Sequence, residues 1–201
     1  MSDQNTAAPS EPSSTAARTR QAILLAAVEV LSVNPGAALG EVATRAGVSR
    51  STLHRHFADR AALRQGVDSL AEDQWKLAVH SARLADGTGF EAFRRLCGEL
   101  ISRIDTLAWW MACESAGSEG EGSEGEEWSQ EDALIAEALT RGKQDGSVDP
   151  ALSVEWVSNL TWATLYAIRF VPAQGGLSPF EARQQGLRTL LKAVAADPAA
   201  S

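Results

Sequence analysis

The 201-residue sequence predicts an all-α fold, with a small N-terminal unit of three helices followed by a larger helical body. Apolar residues recur at helical spacing along most of the chain, and proline or glycine interrupts that spacing, as at Pro35 and Gly146. The segment from Leu39 to Leu63 predicts two short helices joined by a tight turn at Gly47, because glycine tolerates a positive φ. Helices packed on helices are therefore the expected architecture.

The N-terminus predicts a disordered arm followed by the first helix. Residues 1–17 are rich in Ser, Thr, Ala and Pro and contain almost no large apolar side chains, so they are not expected to fold. The first helix is predicted from Arg18 to Val33, and its apolar residues fall on one stripe. We expect this helix to pack behind the two short helices that follow.

The segment after the first helix has the pattern of a helix-turn-helix. Ser49 is the expected N-cap of the second short helix, since its hydroxyl can accept hydrogen bonds from N–H groups two or three residues on. One acid, Asp59, accompanies five cations in this region: Arg45, Arg50, Arg55, Arg60 and Arg64. Such a cluster can neutralise DNA phosphates, and the second helix of this motif enters the major groove. A charged but merely solvated helix face is the less favoured interpretation.

This segment resembles the DNA-binding segment of the tetracycline-repressor (TetR) family of bacterial regulators. The resemblance rests on the pattern Ala43-x-x-Ala46-Gly47-Val48-Ser49-x-x-Thr52-Leu53-x-x-His56-Phe57-x-x-Arg60-x-x-Leu63. Two positions depart from the family pattern, since His54 stands where tyrosine is usual and Arg60 where lysine is common. Both side chains can still bind a phosphate. Ala38 replaces the usual Ser or Thr cap, which should weaken the start of the first short helix by about 1 kcal/mol.

The motif and the resemblance together predict the residues that contact double-stranded operator DNA. The candidates are Arg45, Ser49, Arg50, Ser51, Thr52, His54, Arg55, His56 and Arg60. Ser51 and Thr52 are expected near the bases, because the first turn of a recognition helix usually touches base edges. His54 and Arg60 are expected on phosphates. The rest of the chain carries the acidic balance behind the formal net charge of -8, so only the N-terminal third should dock on DNA.

The remaining helices are predicted from caps and apolar stripes. Asp59 should cap a helix from Arg60 to Val79, and Phe90 to Trp110 should form one or two helices. Three more follow: Glu131 to Gln144, Ala151 to Val171 opened by Pro150, and a last helix from the Ser178-Pro179 capping box to about Ala195. The chain thus divides into a disordered arm (1–17), a helix-turn-helix DNA-binding domain (18–64) and a helical effector-binding and dimerisation domain (65–201).

The segment from Glu114 to Asp132 contains eight acids and no cation. Four glycines lie among these acids, and such a segment cannot bury enough surface to fold by itself, so residues 115–126 are expected to form a mobile acidic loop. A calcium site is the less favoured alternative, because the order of acids found in an EF-hand is absent.

The last two helices are apolar over more than one stripe, which is typical of a partner surface. The resemblance implies that these two C-terminal helices build a four-helix interface with a second subunit. We therefore predict a homodimer through them. A two-fold dimer also suits a palindromic operator, because the paired helix-turn-helix units match two half-sites.

All six tryptophans lie outside the helix-turn-helix and could line a cavity for a small-molecule effector. Taken alone, aromatic residues at helical spacing are more often core residues. Polar neighbours shift the balance, because a few polar groups among aromatic rings can orient a ligand. The effector is expected to be small and largely apolar, and cationic if Asp105, Glu114 or Glu127 points inward. The ligand-site candidates are Phe93, Cys97, Asp105, Trp109, Trp110, Cys113, Trp128, Trp156, Asn159, Trp162 and Tyr166.

Few features favour an enzyme. The sequence has no Gly-rich phosphate loop or nucleophile elbow, and His54 and His56 face different directions on their helix. No cofactor and no metal site are predicted, and the two cysteines argue against a disulfide framework. The predicted function is a TetR-type regulator, most simply a repressor released by its effector, with activation left open. The alternatives are a ligand-blind DNA-binding co-regulator and, less favoured, a small-molecule enzyme on a helical scaffold.

The sequence also predicts a cytoplasmic location without a membrane partner. Its apolar runs fall short of the roughly 18 residues of a spanning helix. The first residues lack the apolar centre of a signal peptide.

Overall fold

The computed structural model describes residues 14–115 and 129–196, with side chains at 15–112 and 129–196. These residues form nine α-helices: α1 Ser14–Leu31, α2 Leu39–Arg45, α3 Arg50–His56, α4 Arg60–Ser81, α5 Gly89–Ser102, α6 Ile104–Ser115, α7 Gln130–Gln144, α8 Val154–Phe170 and α9 Pro179–Val194. A 3-10 turn, Val171–Gln174, follows α8, and an isolated bridge pairs Val148 with Ala195. The prediction of an all-α fold is confirmed. None of the helices in these ranges has the length and apolar character needed to cross a membrane.

Two of the predicted flexible segments fall largely outside the described residues. These are the first thirteen residues of the predicted arm and residues 116–126 of the predicted acidic loop. Helix α1 begins at Ser14, four residues before its predicted start and inside the predicted arm. Ala16 and Ala17 are strong helix formers, which accounts for the earlier start.

The chain divides into two structural units, one up to Val67 and one from Asp68 onward. In the first unit, the predicted stripe of α1 is buried at Ile23, Leu24, Ala27 and Leu31. It packs with the buried side chains of the next three helices and their connections, which are Val42, Leu53, Phe57, Leu63 and Val67. These side chains form the small core that carries the helix-turn-helix.

The predicted turn and caps of the first unit are confirmed. Gly47 has a φ of 68°, and the Ser49 Oγ accepts a hydrogen bond from the Thr52 N–H at 3.1 Å. The Asp59 Oδ1 accepts one from the Ala62 N–H at 2.8 Å, which starts α4. Ala38 has no side-chain acceptor for the first turn of α2, as expected from its sequence. The Ala38 N–H nevertheless donates to the Glu41 Oε1 at 2.9 Å, so the half of a capping box that depends on the Glu41 side chain is present.

The second unit is a bundle of helices whose core contains buried residues of α5 to α9 and of the end of α4. Ser178 caps α9 as predicted, with its Oγ accepting from the Glu181 N–H at 3.2 Å. The predicted start of α8 at Ala151 is wrong. Helix α8 begins at Val154 with Ser153 as its N-cap, because the Asp149 Oδ1 accepts from the Ala151 N–H at 2.9 Å and turns the chain first.

The N-terminus of α5 is fixed by the loop that follows α7. The Gly89 N–H donates to the Asp145 Oδ2 at 2.9 Å, and the Phe90 N–H donates to the Ser147 Oγ at 3.1 Å. Two N–H groups of the first turn are thus satisfied by residues more than fifty positions away. Hydrogen bonds from Ser147, followed by that from the Gly89 N–H, hold the pKa of Asp145 below its ordinary value.

We expect Asp145→Ala to lower the free energy of unfolding of the second unit by about 1 kcal/mol at neutral pH, because it removes an acceptor from the first turn of α5. Since the folded-state pKa is depressed, this stabilisation is present above the ordinary aspartate pKa of about 3.9 and is lost as the pH falls through the folded-state value. Urea unfolding of the wild type and variant at neutral and acidic pH checks this. Asp145→Asn keeps an acceptor and should lose less, and an equal Ala penalty at both pH values would contradict the linkage.

Candidate nucleic-acid interface and effector cleft

Helix α3 turns a polar face outward because a single residue, Leu53, anchors it in the core. Arg50, Ser51, His54 and Arg55 are exposed along that face. Thr52 and His56 are half-buried beside them. These side chains therefore lie on the solvent-accessible face of α3, which contributes only Leu53 to the core.

Three hydroxyls meet at the N-terminus of α3. The Ser49 Oγ lies 2.9 Å from the Ser51 Oγ and 2.8 Å from the Thr52 Oγ1. The hydroxyl of Ser49 also caps the backbone, so it is committed to holding the turn. Ser51 and Thr52 are held by these contacts at the end of the helix where the backbone dipole is positive.

Arg50 rests against helix α2 at Gly40. A Cβ added at Gly40 would lie 2.7 Å from the Arg50 Nη2, so glycine leaves room for the guanidinium. His54 and Leu53 join these two residues around a shallow cavity of about 250 Å³. No acid of the described chain forms an ion pair with Arg50, so its charge faces outward.

Two other predicted DNA contacts are engaged within the chain. Arg45 on α2 forms an ion pair with Glu29 on α1, and both side chains remain exposed. Arg60 was predicted on a phosphate, but it is half-buried and donates to the Pro35 carbonyl at 3.0 Å and to the Ala37 carbonyl. Arg60 thus satisfies the backbone of the loop between α1 and α2. The His54 Nδ1 lies 3.3 Å from the Ala58 carbonyl.

The second unit contains an open cleft of about 830 Å³ between α4, α6, α7 and α8. Three tryptophans line it: Trp75 on α4, Trp110 on α6 and Trp162 on α8. The rings of Trp75 and Trp162 are stacked, with centroids 5.5 Å apart and an interplanar angle of 29°. A smaller cavity of about 40 Å³ shares this pair and extends inward to Phe93. The site is large enough for a drug-sized ligand.

The polar lining of the cleft is mainly acidic. Four carboxylates and one ammonium group line it: Glu72, Glu131, Asp132, Glu155 and Lys76. The Lys76 Nζ lies 2.6 Å from the Glu72 Oε1, and this hydrogen bond raises the pKa of Lys76. Ser158 and Asn159 complete the wall on α8.

The predicted ligand-site residues are only partly brought together. Trp110, Asn159 and Trp162 line the cleft, and Phe93 lines the inner cavity. Cys113 and Trp128 lie outside the residues whose side chains are described.

The other predicted ligand-site residues lie elsewhere. Asp105 forms ion pairs with Arg169 at 3.4 Å and Arg183 at 3.2 Å, so it ties α6 to α8 and α9. Trp109 is buried and donates its indole N–H to Asp68, and Cys97 is a core residue whose burial raises the thiol pKa to about 12. Two aromatic residues of α8 are exposed, Trp156 at 60% and Tyr166 at 44%.

Glu131 and Lys76 line the cleft but were not predicted from the sequence, and Trp75 was considered among the six tryptophans but is absent from the ligand-site candidates. Trp75 lies on the predicted helix from Arg60 to Val79, where helical spacing cannot distinguish a core ring from a cavity wall. Glu131 is the second residue of α7 and belongs to the acidic segment from Glu114 to Asp132, so nothing in its sequence context distinguishes it from the other acids.

The exposed α3, set by a Gly-containing turn on a three-helix core, defines a helix-turn-helix protein. The sequence model of the family described as "Bacterial regulatory proteins, tetR family" matches residues 23–67. The helix-turn-helix segment of this chain is therefore similar to that of the tetR family.

A curated relative is the HTH-type transcriptional repressor LfrR of Mycolicibacterium smegmatis. It is 41% identical over 88 residues, which cover 44% of this chain and 47% of the relative. The match thus spans about half the length of that relative.

The whole fold is similar to solved structures. The TetR-like regulator LfrR from Mycobacterium smegmatis is 25% identical with a TM-score of 0.62, covering 89% of this chain and 97% of that one. The structure of LfrR in complex with proflavine is 27% identical with a TM-score of 0.59, covering 88% of this chain and 96% of that one. A gamma-butyrolactone receptor (ArpA like protein) has a TM-score of 0.66 over 90% of each chain, and at 18% identity this likeness concerns the fold alone.

Proposed function

We propose that this chain is a ligand-responsive transcriptional regulator that binds a palindromic operator as a homodimer and is released by a small effector. The observation that carries the proposal is the outward polar face of α3, on which two arginines, Arg50 and Arg55, have no acidic partner among the described residues. A helix of this kind suits the major groove, and free guanidinium groups suit phosphates and guanine edges. The family supports repression, since the curated relative is a transcriptional repressor.

The proposed DNA-binding domain is residues 18–64, and the proposed effector-binding and dimerisation domain is residues 65–201. Within the first, Ser51 and Thr52 are assigned to the bases because they lie at the N-terminus of α3. Arg50, His54 and Arg55 are assigned to the phosphates and groove edges. Arg60 acts indirectly, because its hydrogen bonds to the loop before α2 hold the two short helices in place.

The proposed dimer forms through α8 and α9. Large apolar side chains are exposed on both helices, including Tyr166 on α8 and Phe180 on α9, the latter at 73%. Leu187 and Leu191 of α9 are only partly covered and line an open apolar groove of about 460 Å³ with Phe90. Such surfaces are costly to leave in water and are typical of a subunit interface.

The proposed effector site is the cleft between α4, α6, α7 and α8, and its occupant is small and largely apolar. Its volume and its aromatic walls are those of a ligand pocket. A solved relative, LfrR, has been crystallised with proflavine, and this supports a flat aromatic compound as a first candidate.

The test is binding of the purified protein to DNA flanking its own gene, followed by fluorescence anisotropy at several stated salt concentrations. A panel of apolar and cationic compounds that includes proflavine is then added, and Trp162→Ala serves as the variant with a damaged cleft. Tight binding that one compound releases from the wild type but not from the variant supports the proposal. Specific binding that no compound alters would favour the ligand-blind co-regulator, and the lack of specific binding would contradict the proposal.

A further inference from the structure

We propose that Glu131 receives the positive charge of a planar aromatic cation bound in the cleft, an inference that rests on the effector site proposed above. The inference names both the chemical class of the effector and the side chain that selects it. It follows from the burial of the Glu131 side chain in the lining, from the contacts of the other acids and from the tryptophan rings that line the cleft.

Glu131 is an unusual carboxylate for its position in the chain. The residue is only 6% exposed although it is the second residue of α7, and it lines the cleft. Among the described residues, no side chain forms an ion pair or hydrogen bond with its carboxylate. Most of the side chain is covered, its carboxylate oxygens are not among the buried atoms that lack a partner, and the first turn of the helix favours a negative charge there through its dipole. The carboxylate therefore faces the cleft with its capacity to bind a cation unused.

The other acids of the cleft are already engaged by the protein. Glu72 binds Lys76, and the Asp132 Oδ2 accepts from the Ser129 hydroxyl at 2.7 Å as part of the cap of α7. Glu155 lies in the first turn of α8, where hydrogen bonding to its own backbone N–H and then to Ser153 lowers its pKa. Glu131 is thus the one acid among these lining residues that no described side chain engages, so its carboxylate is available to a ligand.

The walls around Glu131 suit a flat ring system. The stacked pair of Trp75 and Trp162 lines the cleft, and Trp110 on α6 contributes a third ring. A planar cation can stack on such rings and gain cation–π attraction while its charge is neutralised by a carboxylate. An aliphatic ammonium ion could also gain cation–π attraction, but it would cover less of the ring surface, so a flat aromatic cation fits more of the lining.

Lys76 provides a second test of charge selection. Removing its positive charge should have the opposite effect on the binding of a cation to removing the negative charge of Glu131. Its ammonium group is held by Glu72, and the charge of Glu131 is one of the influences that raise its pKa. A cationic effector that approaches Glu131 therefore meets a like charge in the same cleft. Removing this charge should strengthen the binding of a cation and leave a neutral ligand nearly unchanged.

The experiment compares two probes by isothermal titration calorimetry on the full chain: proflavine, a planar cation, and acridone, an uncharged tricycle of similar size. We expect wild-type protein to bind proflavine about tenfold or more tightly than acridone, and Glu131→Gln to remove most of that preference by weakening proflavine alone. Lys76→Met should tighten proflavine binding about threefold. Glu137→Gln, an exposed position on the same helix outside the cleft lining, is the matched control and should behave as wild type.

The outcomes separate this inference from the proposed function. Equal affinity of wild-type protein for the two probes, or an unchanged preference in Glu131→Gln, would overturn the role of Glu131 and leave the effector site intact. Failure of both probes to bind would overturn the inference, while release of the operator by another compound would still support the proposed function. If Glu131→Gln does not fold by circular dichroism, the Lys76→Met result decides, because a proflavine affinity that does not rise would refute charge selection in the cleft.

Discussion

Arg50→Ala is expected to weaken binding of the operator by roughly ten- to a hundredfold. Arg50 is the first residue of α3, is exposed, and lies against Gly40 with no acidic partner in the described chain. Its guanidinium is therefore both positioned and free to contact DNA, whereas Arg45 is already paired with Glu29. Since Arg50 contributes no buried apolar group, the fold of the first unit should survive the substitution.

The measurement is an anisotropy titration of wild-type and variant protein on operator DNA over a range of salt concentrations. Loss of a phosphate contact should lower the slope of log affinity against log salt by about one, while loss of a base contact should leave the slope and relax sequence preference. Arg94→Ala, an exposed arginine on α5, is the control and should bind as wild type. Unfolding or loss of the dimer in Arg50→Ala would show instead that Arg50 is a structural residue.

Features that depend on a few neighbouring residues could be predicted from the sequence. The left-handed turn at Gly47 and the caps at Ser49, Asp59 and Ser178 each involve hydrogen bonds that reach no further than three residues. Such short-range geometry is encoded by residue type, so local patterns suffice. The predicted start of α8 is wrong because two competing local signals, Pro150 and the turn formed by Asp149, occur together.

Features that depend on distant contacts could not be predicted. Arg60 bonds to carbonyls more than twenty residues away, and Asp105 pairs with arginines more than sixty residues away. The stacking of Trp75 on Trp162 likewise joins two helices, α4 and α8, that are far apart in the sequence. Helical spacing indicates which face of a helix is apolar, but it does not specify which other helix packs against that face. The set of residues that line the cleft therefore depends on tertiary contacts. The lack of a partner for the Glu131 carboxylate among the described residues depends on them as well.

The largest effect on stability is expected from Gly89→Ala in the first turn of α5. A Cβ at this position would overlap the backbone N and Cα of Gly142 and the carbonyl oxygen of Ala138, all on α7. Backbone atoms of a packed helix cannot turn aside as a flexible side chain can, so α5 and α7 would have to move apart. We expect the free energy of unfolding to fall by about 3 kcal/mol or more, measured by urea denaturation followed by circular dichroism.

Gly98→Ala on the same helix is the matched control, because it makes the same chemical change without the close approach. Gly98 is exposed, and a Cβ there would meet no heavy atom within 4 Å. Alanine has the higher helix propensity, so Gly98→Ala should raise the free energy of unfolding by about 0.5–1 kcal/mol. Opposite signs for the two substitutions would assign the loss at Gly89 to the crossing of α5 and α7. Similar effects from both would mean that the two helices do not approach each other closely at Gly142.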